Sequence, residues 1–190
     1  TYQNNSPQTL NEIYMHVWPN AYKNKHTALA QQLKRNDGDK IAKADTADLG
    51  YIDSLDFKVN GNPVKWNYTP NDQDIIVIHL DKGLAPGQSL FLTTPFKVKI
   101  PSGSISRLGH IGQSYQITQW YPKPAVYDQN GWNAMPYLNQ GEFYSEFGSF
   151  DVKITIPANY VVGATGELQT ASEIAFLNDK VNESKKKLEK

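Results

Sequence analysis

Apolar and polar positions alternate with a period of two through much of the chain. In the run that begins at Leu10, Ile13, Met15 and Val17 fall on one face and polar or aromatic residues on the other. This is the period of a half-buried strand, since successive side chains of a strand point to opposite faces. Pro19 and Asn20 end the run, so we predict the first long strand before them.

Further runs of this kind follow at short spacing, with turn residues between them. We predict strands at residues 55–59, 64–68, 75–80, 90–100, 150–156 and 160–164. Asn60-Gly61-Asn62 is a hairpin signal, and Pro95 indicates an edge strand or a bulge in its run. Many short strands separated by turns predict an all-β fold, a β-sandwich of mostly antiparallel strands.

Helical spacing is restricted to two places. One short helix is predicted near residues 24–35, with Asn24 or Thr27 as its cap. The second covers 171–190, where Thr170 and Glu173 have the spacing of a capping box. We therefore divide the chain into a sandwich at 1–168 and a tail at 169–190, which either links to a following domain or docks on a neighbour.

Composition and charge exclude several classes of protein. The 190 residues include 19 basic and 19 acidic residues and no cysteine. A neutral chain lacks the basic surface that nucleic acid or anionic lipid requires, so both partners are disfavoured. No apolar run is long enough to span a membrane. Because the chain opens at Thr1 without a Met or a signal peptide, we interpret it as a processed or excised form.

Residues that could carry chemistry do not form a complete catalytic set in the sequence. The four histidines have no zinc-site spacing, and HExxH is absent; His110, flanked by glycines in "RLGHIGQ", is the best candidate among them. The Ser- and Gly-rich "IPSGSISRLG" lacks the ending of a phosphate loop. Glu142 and Glu146 would lie roughly 13 Å apart along a strand, too far for a retaining glycosidase pair.

Residues 107–150 concentrate aromatic side chains with amides between them. In "GQSYQITQWYPKP", Gln113, Gln116 and Gln119 interrupt a run that otherwise reads as a strand. Buried amides need hydrogen-bond partners, and an exposed surface of this type can grip a polar ligand. The alternative is aromatic packing beneath long loops, with the amides satisfied by backbone.

The stretch "GQSYQITQWYPKPAVYDQNGWNAMPYLNQGEFYSEFGSFDVKITIPANYVVGATGEL" resembles the end of the N-terminal β-domain of M1-family zinc metallopeptidases, in the branch found in Bacteroidetes and related bacteria. The opening "NNSPQTLNEIYMHVWPNAY" is similar to the same branch. The resemblance covers most of residues 1–168, and the order of "WYPKPAVYD", "GW", "GEFYSEFG" and "ATG" is shared. The insertion "KPAVYDQNGW" replaces a shorter loop of the wider family.

This resemblance implies a β-sandwich or saddle that leans on a catalytic domain in cis, where an HExxH motif holds zinc. It implies no cofactor in this chain and export from the cytoplasm. A Gln or Glu of the matching strand helps to bind the α-amine at a peptide substrate's N-terminus in the family. Spacing from "WYP" makes Gln113 the best match and Gln116 the second; Gln would be a weaker anchor than Glu.

Two other interpretations stay open at the level of the sequence. A stand-alone carbohydrate- or ligand-binding sandwich would expose coplanar rings, and Trp120, Tyr127 and Trp132 are the residues to inspect. The second interpretation is a scaffold domain that has no active partner.

Overall fold

A computed structural model describes residues 1–36, 38–141 and 143–188. The chain forms two compact units, Thr1–Phe147 and Gly148–Lys190. The boundary near residue 168 that the sequence suggests stays a prediction.

Short strands make up most of the regular structure of the first unit. They are β1 (Tyr2–Gln3), β2 (Leu10–His16), β3 (Tyr51–Asp53), β4 (Lys58–Val59), β5 (Asn62–Pro63), β6 (Lys65–Tyr68), β7 (Ile75–Leu84), β8 (Ser89–Leu90), β9 (Leu92–Thr93), β10 (Lys97–Lys99), β11 (Gly109–Ile111), β12 (Ser114–Gln116), β13 (Lys123–Pro124), β14 (Val126–Asp128) and β15 (Gly131–Asn133). The helices are a 3-10 helix at Trp18–Tyr22, α1 (Ala28–Asn36) and, in the second unit, α2 (Ala171–Leu188).

The largest sheet has four antiparallel strands in the order β13-β2-β7-β6. In the register of β2 with β7, Ile13 lies opposite Ile78 and Met15 opposite Ile76. All four of these side chains are buried on one face of the sheet. The alternation read from the sequence therefore places β2 correctly, because only one phase of the period buries its apolar set.

A three-stranded sheet in the order β5-β4-β9 and several two-stranded antiparallel sheets contain the other strands of the first unit. The β4–β5 hairpin turns at Asn60 and Gly61, which have φ of 51° and 84°. Positive φ at both central residues suits the strand twist of a two-residue turn and explains the Asn-Gly pair. The prediction of an all-β fold with mostly antiparallel strands, one short helix and a C-terminal helix is confirmed.

Two clusters of buried apolar side chains form the core of the first unit. The cluster on the inner face of the large sheet contains Leu10, Ile13, Met15, Val17, Ile52, Phe57, Ile76, Ile78, Leu84 and Leu90. The cluster beneath α1 contains Trp18, Ala21, Tyr22, Leu29, Ala30, Leu33, Ile41, Ile105, Leu108 and Tyr137. The second cluster joins the 3-10 helix to the loops that carry the candidate site.

The predicted helix near 24–35 is shorter than expected, because α1 begins at Ala28. Thr27 is its cap: the backbone N–H of Ala30 donates to Thr27 Oγ1 at 3.2 Å. Asn24 instead accepts the N–H of His26 at 2.8 Å, which forms a local turn before the helix.

Four strand predictions are wrong in part or in whole. Of the run at 55–59, only Lys58–Val59 is a strand. The run at 90–100 is divided among β8, β9 and β10, with Pro95 between the last two, because proline lacks the N–H that a ladder requires. Residues 150–156 and 160–164 form no strand. Their alternation is real, yet Val152, Ile154 and Val161 are exposed, and a strand needs a neighbouring backbone as well as a pattern.

In the second unit, α2 starts after Thr170 as the sequence predicts. The backbone carbonyl of Thr170 accepts the N–H of Ile174 at 3.0 Å. Along the described part of the chain, neither α2 nor any other helix has the length and apolar character to cross a membrane.

Candidate functional site

The residues that the sequence singles out lie on the β11–β12 hairpin and the chain that follows it. Ile111 pairs with Ser114, so Gly112 and Gln113 form the turn between the strands. Gly112 has a φ of 56°, which a glycine adopts at the first central position of such a turn. Gln113 therefore lies at the tip of the hairpin and not within a strand. The alternation in the surrounding sequence suggests a strand there instead.

Close backbone contacts fix the base of this hairpin. The N–H of Gly103 donates to the carbonyl of His110 at 2.8 Å, and the N–H of His110 donates to that of Pro101 at 3.1 Å. A Cβ at Gly109 would lie 2.8 Å from Gly103 Cα, so a larger residue does not fit there. The glycines of "SGSISRLG" thus serve close packing, and the hairpin projects from a rigid base.

Gln113 and Gln116 are both exposed on this hairpin. Neither side-chain amide hydrogen-bonds to a described residue. Their carbonyl oxygens are consequently available as acceptors for a donor that approaches from outside.

Gln119 has a different role from the other two glutamines. Its backbone is in the left-handed region, with a φ of 52°, which ends the alternation that began at Tyr115. Its Oε1 accepts a hydrogen bond from Lys123 Nζ at 3.0 Å, and the same ammonium donates to Ser145 Oγ at 2.7 Å. Gln119 is thus a structural partner of a half-buried cation. Gln113, in contrast, lies at the tip of the hairpin.

Lys123 lies over the largest buried ring of the molecule. Its Nζ is 3.9 Å from the centroid of the Trp18 ring, a distance at which a cation is attracted to the ring face. Desolvation by burial lowers the pKa of Lys123 to about 8. Sequence reasoning missed this lysine. Its place between Pro122 and Pro124, shortly after "WY", is the one signal in the sequence that could have indicated it.

His16 lies opposite Lys123 in the strand register and is buried. Its ring stacks on Trp18 with 4.5 Å between centroids, and neither ring nitrogen has a partner among the described residues. Burial, and secondarily the charge of Lys123, lower the pKa of His16 to about 4. The imidazole is therefore neutral at pH 7.

Asp74 is a second buried titratable group near these rings. Its Oδ2 accepts the backbone N–H of Tyr137 at 2.7 Å. Burial raises the pKa of Asp74 to about 7, although that hydrogen bond acts in the opposite direction. The carboxyl holds the loop around Tyr137 against the end of the large sheet, and the sequence contained no sign of this.

The aromatic side chains of residues 107–150 mostly pack against one another and against the core. Trp132 contacts Tyr127 edge-on at 5.1 Å and 72°, and Tyr14 at 5.7 Å. Trp120 packs against Phe96 at 5.8 Å with a tilt of 44°. The three rings that a carbohydrate platform would need are thus partly buried and differently inclined.

The remaining candidates from the sequence do not converge on a centre. His79 is a satisfied surface histidine, with Glu12 Oε1 at 3.2 Å and Asn67 Oδ1 at 2.7 Å from its ring nitrogens. His110 stacks on Tyr115 within the hairpin at 5.3 Å. Glu146 is exposed, and Glu142 lies outside the described residues.

Within residues 1–36, 38–141 and 143–188, no three His, Asp or Glu side chains lie close enough to hold a metal ion. No family model, curated protein or solved structure matches this chain.

Proposed function

We propose that this chain is the N-terminal, substrate-flanking domain of a zinc metallopeptidase of the M1 type and is not catalytic alone. The observation that carries the proposal is the position of Gln113 at the tip of the β11–β12 hairpin, where its amide has no partner among the described residues. A hairpin on a rigid base suits a residue that must reach across a cleft into a neighbouring domain.

The chemistry of the tip fits a free α-amine. An ammonium offers three donors and no acceptor, and an amide oxygen is an acceptor. A neutral amide makes weaker hydrogen bonds to a cation than a carboxylate does, since charge-assisted pairs are about twice as strong. Gln113 would thus select for the substrate's N-terminus while it binds that terminus only moderately tightly.

In the parent enzyme, zinc bound by the catalytic domain would polarise the peptide carbonyl and activate a water. The role of the present residues is binding and orientation. Gln113 would accept hydrogen bonds from the amine, and Gln116 on β12 is the second acceptor. Such a peptidase would act outside the cytoplasm.

Exposed apolar residues next to the tip support a covered hairpin in the parent. Ile111 is 77% exposed and Ile117 is 52% exposed, on either side of Gln113 and Gln116. Apolar side chains exposed beside polar ones suit a hairpin that a neighbouring domain covers. The catalytic domain in cis is the partner that this proposal assigns to it.

The inclined, packed rings of Trp120, Tyr127 and Trp132 favour this function over carbohydrate binding, which uses flat exposed rings. The Tyr127 hydroxyl is already engaged with Gln8 Oε1 at 2.7 Å. Titration with a panel of soluble oligosaccharides, followed by tryptophan fluorescence, should show no saturable change. Saturable binding would support the alternative.

The test of the proposal is kinetic and uses the complete enzyme with aminoacyl-nitroanilide substrates. Gln113→Ala should raise KM for substrates with a free amine by about tenfold, the loss of one hydrogen bond to a charged group. Gln113→Glu should lower KM below that of the parent. Gln129→Ala, at another exposed glutamine, should change neither parameter.

If Gln113→Ala leaves KM unchanged and Gln116→Ala raises it, the roles of the two glutamines are reversed. If neither changes KM, the proposed role of the hairpin is wrong. The isolated chain should not hydrolyse these substrates with or without zinc, and metal-dependent turnover by it would overturn the proposal.

A further inference from the structure

The side chain of Lys123, on β13, lies against the hydroxyl group of Ser145. Lys123 Nζ is 2.7 Å from Ser145 Oγ. A nucleophile and the base that activates it lie within hydrogen-bond reach of each other, at about 2.6–3.2 Å. The contact therefore has the distance that a base requires to take the proton of a serine hydroxyl.

Gln119 fixes the position of the lysine. Its Oε1 accepts a hydrogen bond from Lys123 Nζ at 3.0 Å. The backbone of Gln119 has a φ of 52°, which is uncommon for a residue other than glycine. Strained backbone of this kind clusters at functional sites. A nucleophile, a base and a group that orients the base thus form one series of contacts, which is the arrangement that activates a serine for acyl transfer.

An aromatic ring covers the amine, since Lys123 Nζ is 3.9 Å from the centroid of the Trp18 ring. The charged and titratable groups around this ring are few. His16 stacks on Trp18 and is buried, with a pKa lowered to about 4 by burial and, secondarily, by the charge of Lys123. Arg107 contacts the Phe143 ring, which packs on Trp18. Lys123 itself forms no ion pair with a described carboxylate.

The protonation state of Lys123 suits a base near neutral pH. Burial lowers the pKa of Lys123 from 10.5 to about 8. About one amine in ten is consequently neutral at pH 7, against roughly one in 3,000 for an ordinary lysine. A neutral Nζ has a lone pair, so the contact with Ser145 can reverse and the hydroxyl can donate to the amine.

We propose that Ser145 accepts an acyl group from an activated ester, with Lys123 as the base. Ser145 Oγ forms a bond to the ester carbonyl carbon while its proton moves to Nζ. The bond from that carbon to the leaving phenolate breaks, and Nζ passes the proton to the phenolate. The product is an ester on Ser145, which is exposed and can be reached by the acyl donor.

This inference goes beyond the proposed function and does not depend on Gln113 or on a zinc domain. It concerns the transfer of one acyl group to the chain, without turnover. Nitroanilides should not acylate Ser145, because an amine leaves from a carbonyl carbon far less readily than a phenolate does.

The experiment treats the full chain with p-nitrophenyl acetate and maps the acetyl groups by mass spectrometry of its peptides. Ser145 should be acetylated, and hydroxylamine should remove this group because it cleaves esters but not amides. Acetyl groups on the Thr1 amine and on lysines resist hydroxylamine and are counted separately. The rate of acetylation of Ser145 should rise with pH, with a midpoint near the pKa of Lys123 of about 8.

Two variants separate the roles of the pair. Ser145→Ala should remove the hydroxylamine-sensitive acetyl group. Lys123→Arg keeps a cation over the Trp18 ring but cannot be deprotonated. It should slow acetylation of Ser145 by about 100-fold, the lower end of the effect of a positioned base.

Ser149→Ala and Lys153→Arg are the matched controls at exposed residues nearby in the sequence, and neither should change the rate. Circular dichroism spectra check that each variant is folded. Three results would overturn the inference. They are an unmodified Ser145 after the Thr1 amine has reacted, an acetyl group on Lys123 in place of Ser145, and an unchanged rate in Lys123→Arg.

Discussion

Two buried titratable side chains give this protein a stability that depends on pH in opposite ways. The raised pKa of Asp74 and the lowered pKa of His16 both arise mainly from burial, which disfavours the charged form of each. For Asp74, the contribution to stability is present at low pH and is lost as pH rises from about 4 to about 7. For His16, it is present above its ordinary pKa and is lost as pH falls towards about 4.

We predict that Asp74→Asn raises the free energy of unfolding at pH 8 by about 2 kcal/mol, because the amide oxygen can still accept the Tyr137 N–H without a buried charge. The gain should disappear near pH 4. Urea unfolding at both pH values measures it, with exposed Asp45→Asn as the control. A variant less stable than the parent at pH 8 would show that the carboxylate itself is needed.

His16→Leu should act at the other end of the pH range. The substitution removes two buried nitrogens that have no partner among the described residues. It also removes the free energy needed to keep the buried imidazole neutral at acidic pH. We therefore expect it to raise the free energy of unfolding at pH 5 by about 1–2 kcal/mol. At pH 8 the difference should be smaller, since the parent imidazole is neutral there and stacks on Trp18. Equal effects at both pH values would contradict the assigned pKa.

At this scale the sequence indicated which residue types matter but not their partners. Gln113 and Gln119 have similar settings in "GQSYQITQW". Gln113 nevertheless lies in the turn of the β11–β12 hairpin, whereas the side chain of Gln119 accepts a hydrogen bond from Lys123. Gly112, directly before Gln113, indicates a turn. The alternation of residues around it favours a strand, so the two local signals disagree. The pairing of Lys123 with Trp18 depends on tertiary structure, which has no local signature.

The elements themselves follow the local rules where a partner strand or a cap is present. β2 and the Asn60-Gly61 hairpin could be predicted because the pattern and the turn chemistry agree. Residues 150–156 carry an equally clear alternation without forming a strand. A period of two indicates which face of a strand could be buried. It does not indicate whether another strand lies close enough to form backbone hydrogen bonds with it.

The cap of α1 is a prediction of the sequence that can be measured. Thr27 is buried, and its Oγ1 accepts the Ala30 N–H while donating to the carbonyl of Ala21 at 2.7 Å. Thr27→Ala should lower the free energy of unfolding by about 1–2 kcal/mol through both losses. Thr46→Ala, at an exposed threonine, should have no measurable effect in the same thermal melts. If Thr27→Ala leaves the free energy of unfolding unchanged, water replaces both hydrogen bonds of the Thr27 hydroxyl.

For the molecule as a whole, both apolar clusters lie within the first unit. Every buried residue of the two clusters falls between Leu10 and Tyr137. A protein that ends at Phe147 should therefore unfold cooperatively, with a Tm within about 3 °C of the full chain, a shift worth less than about 1 kcal/mol. Calorimetry tests this, and a broad or absent transition would show that residues 148–190 complete the core.

We propose that this chain borders a cleft whose zinc is bound by another domain, and reading the coding sequence beyond the codon of Lys190 tests this proposal most directly. We predict that the reading frame continues into a second domain with an HExxH motif. A stop codon at that point, or a continuation without such a motif, would contradict it.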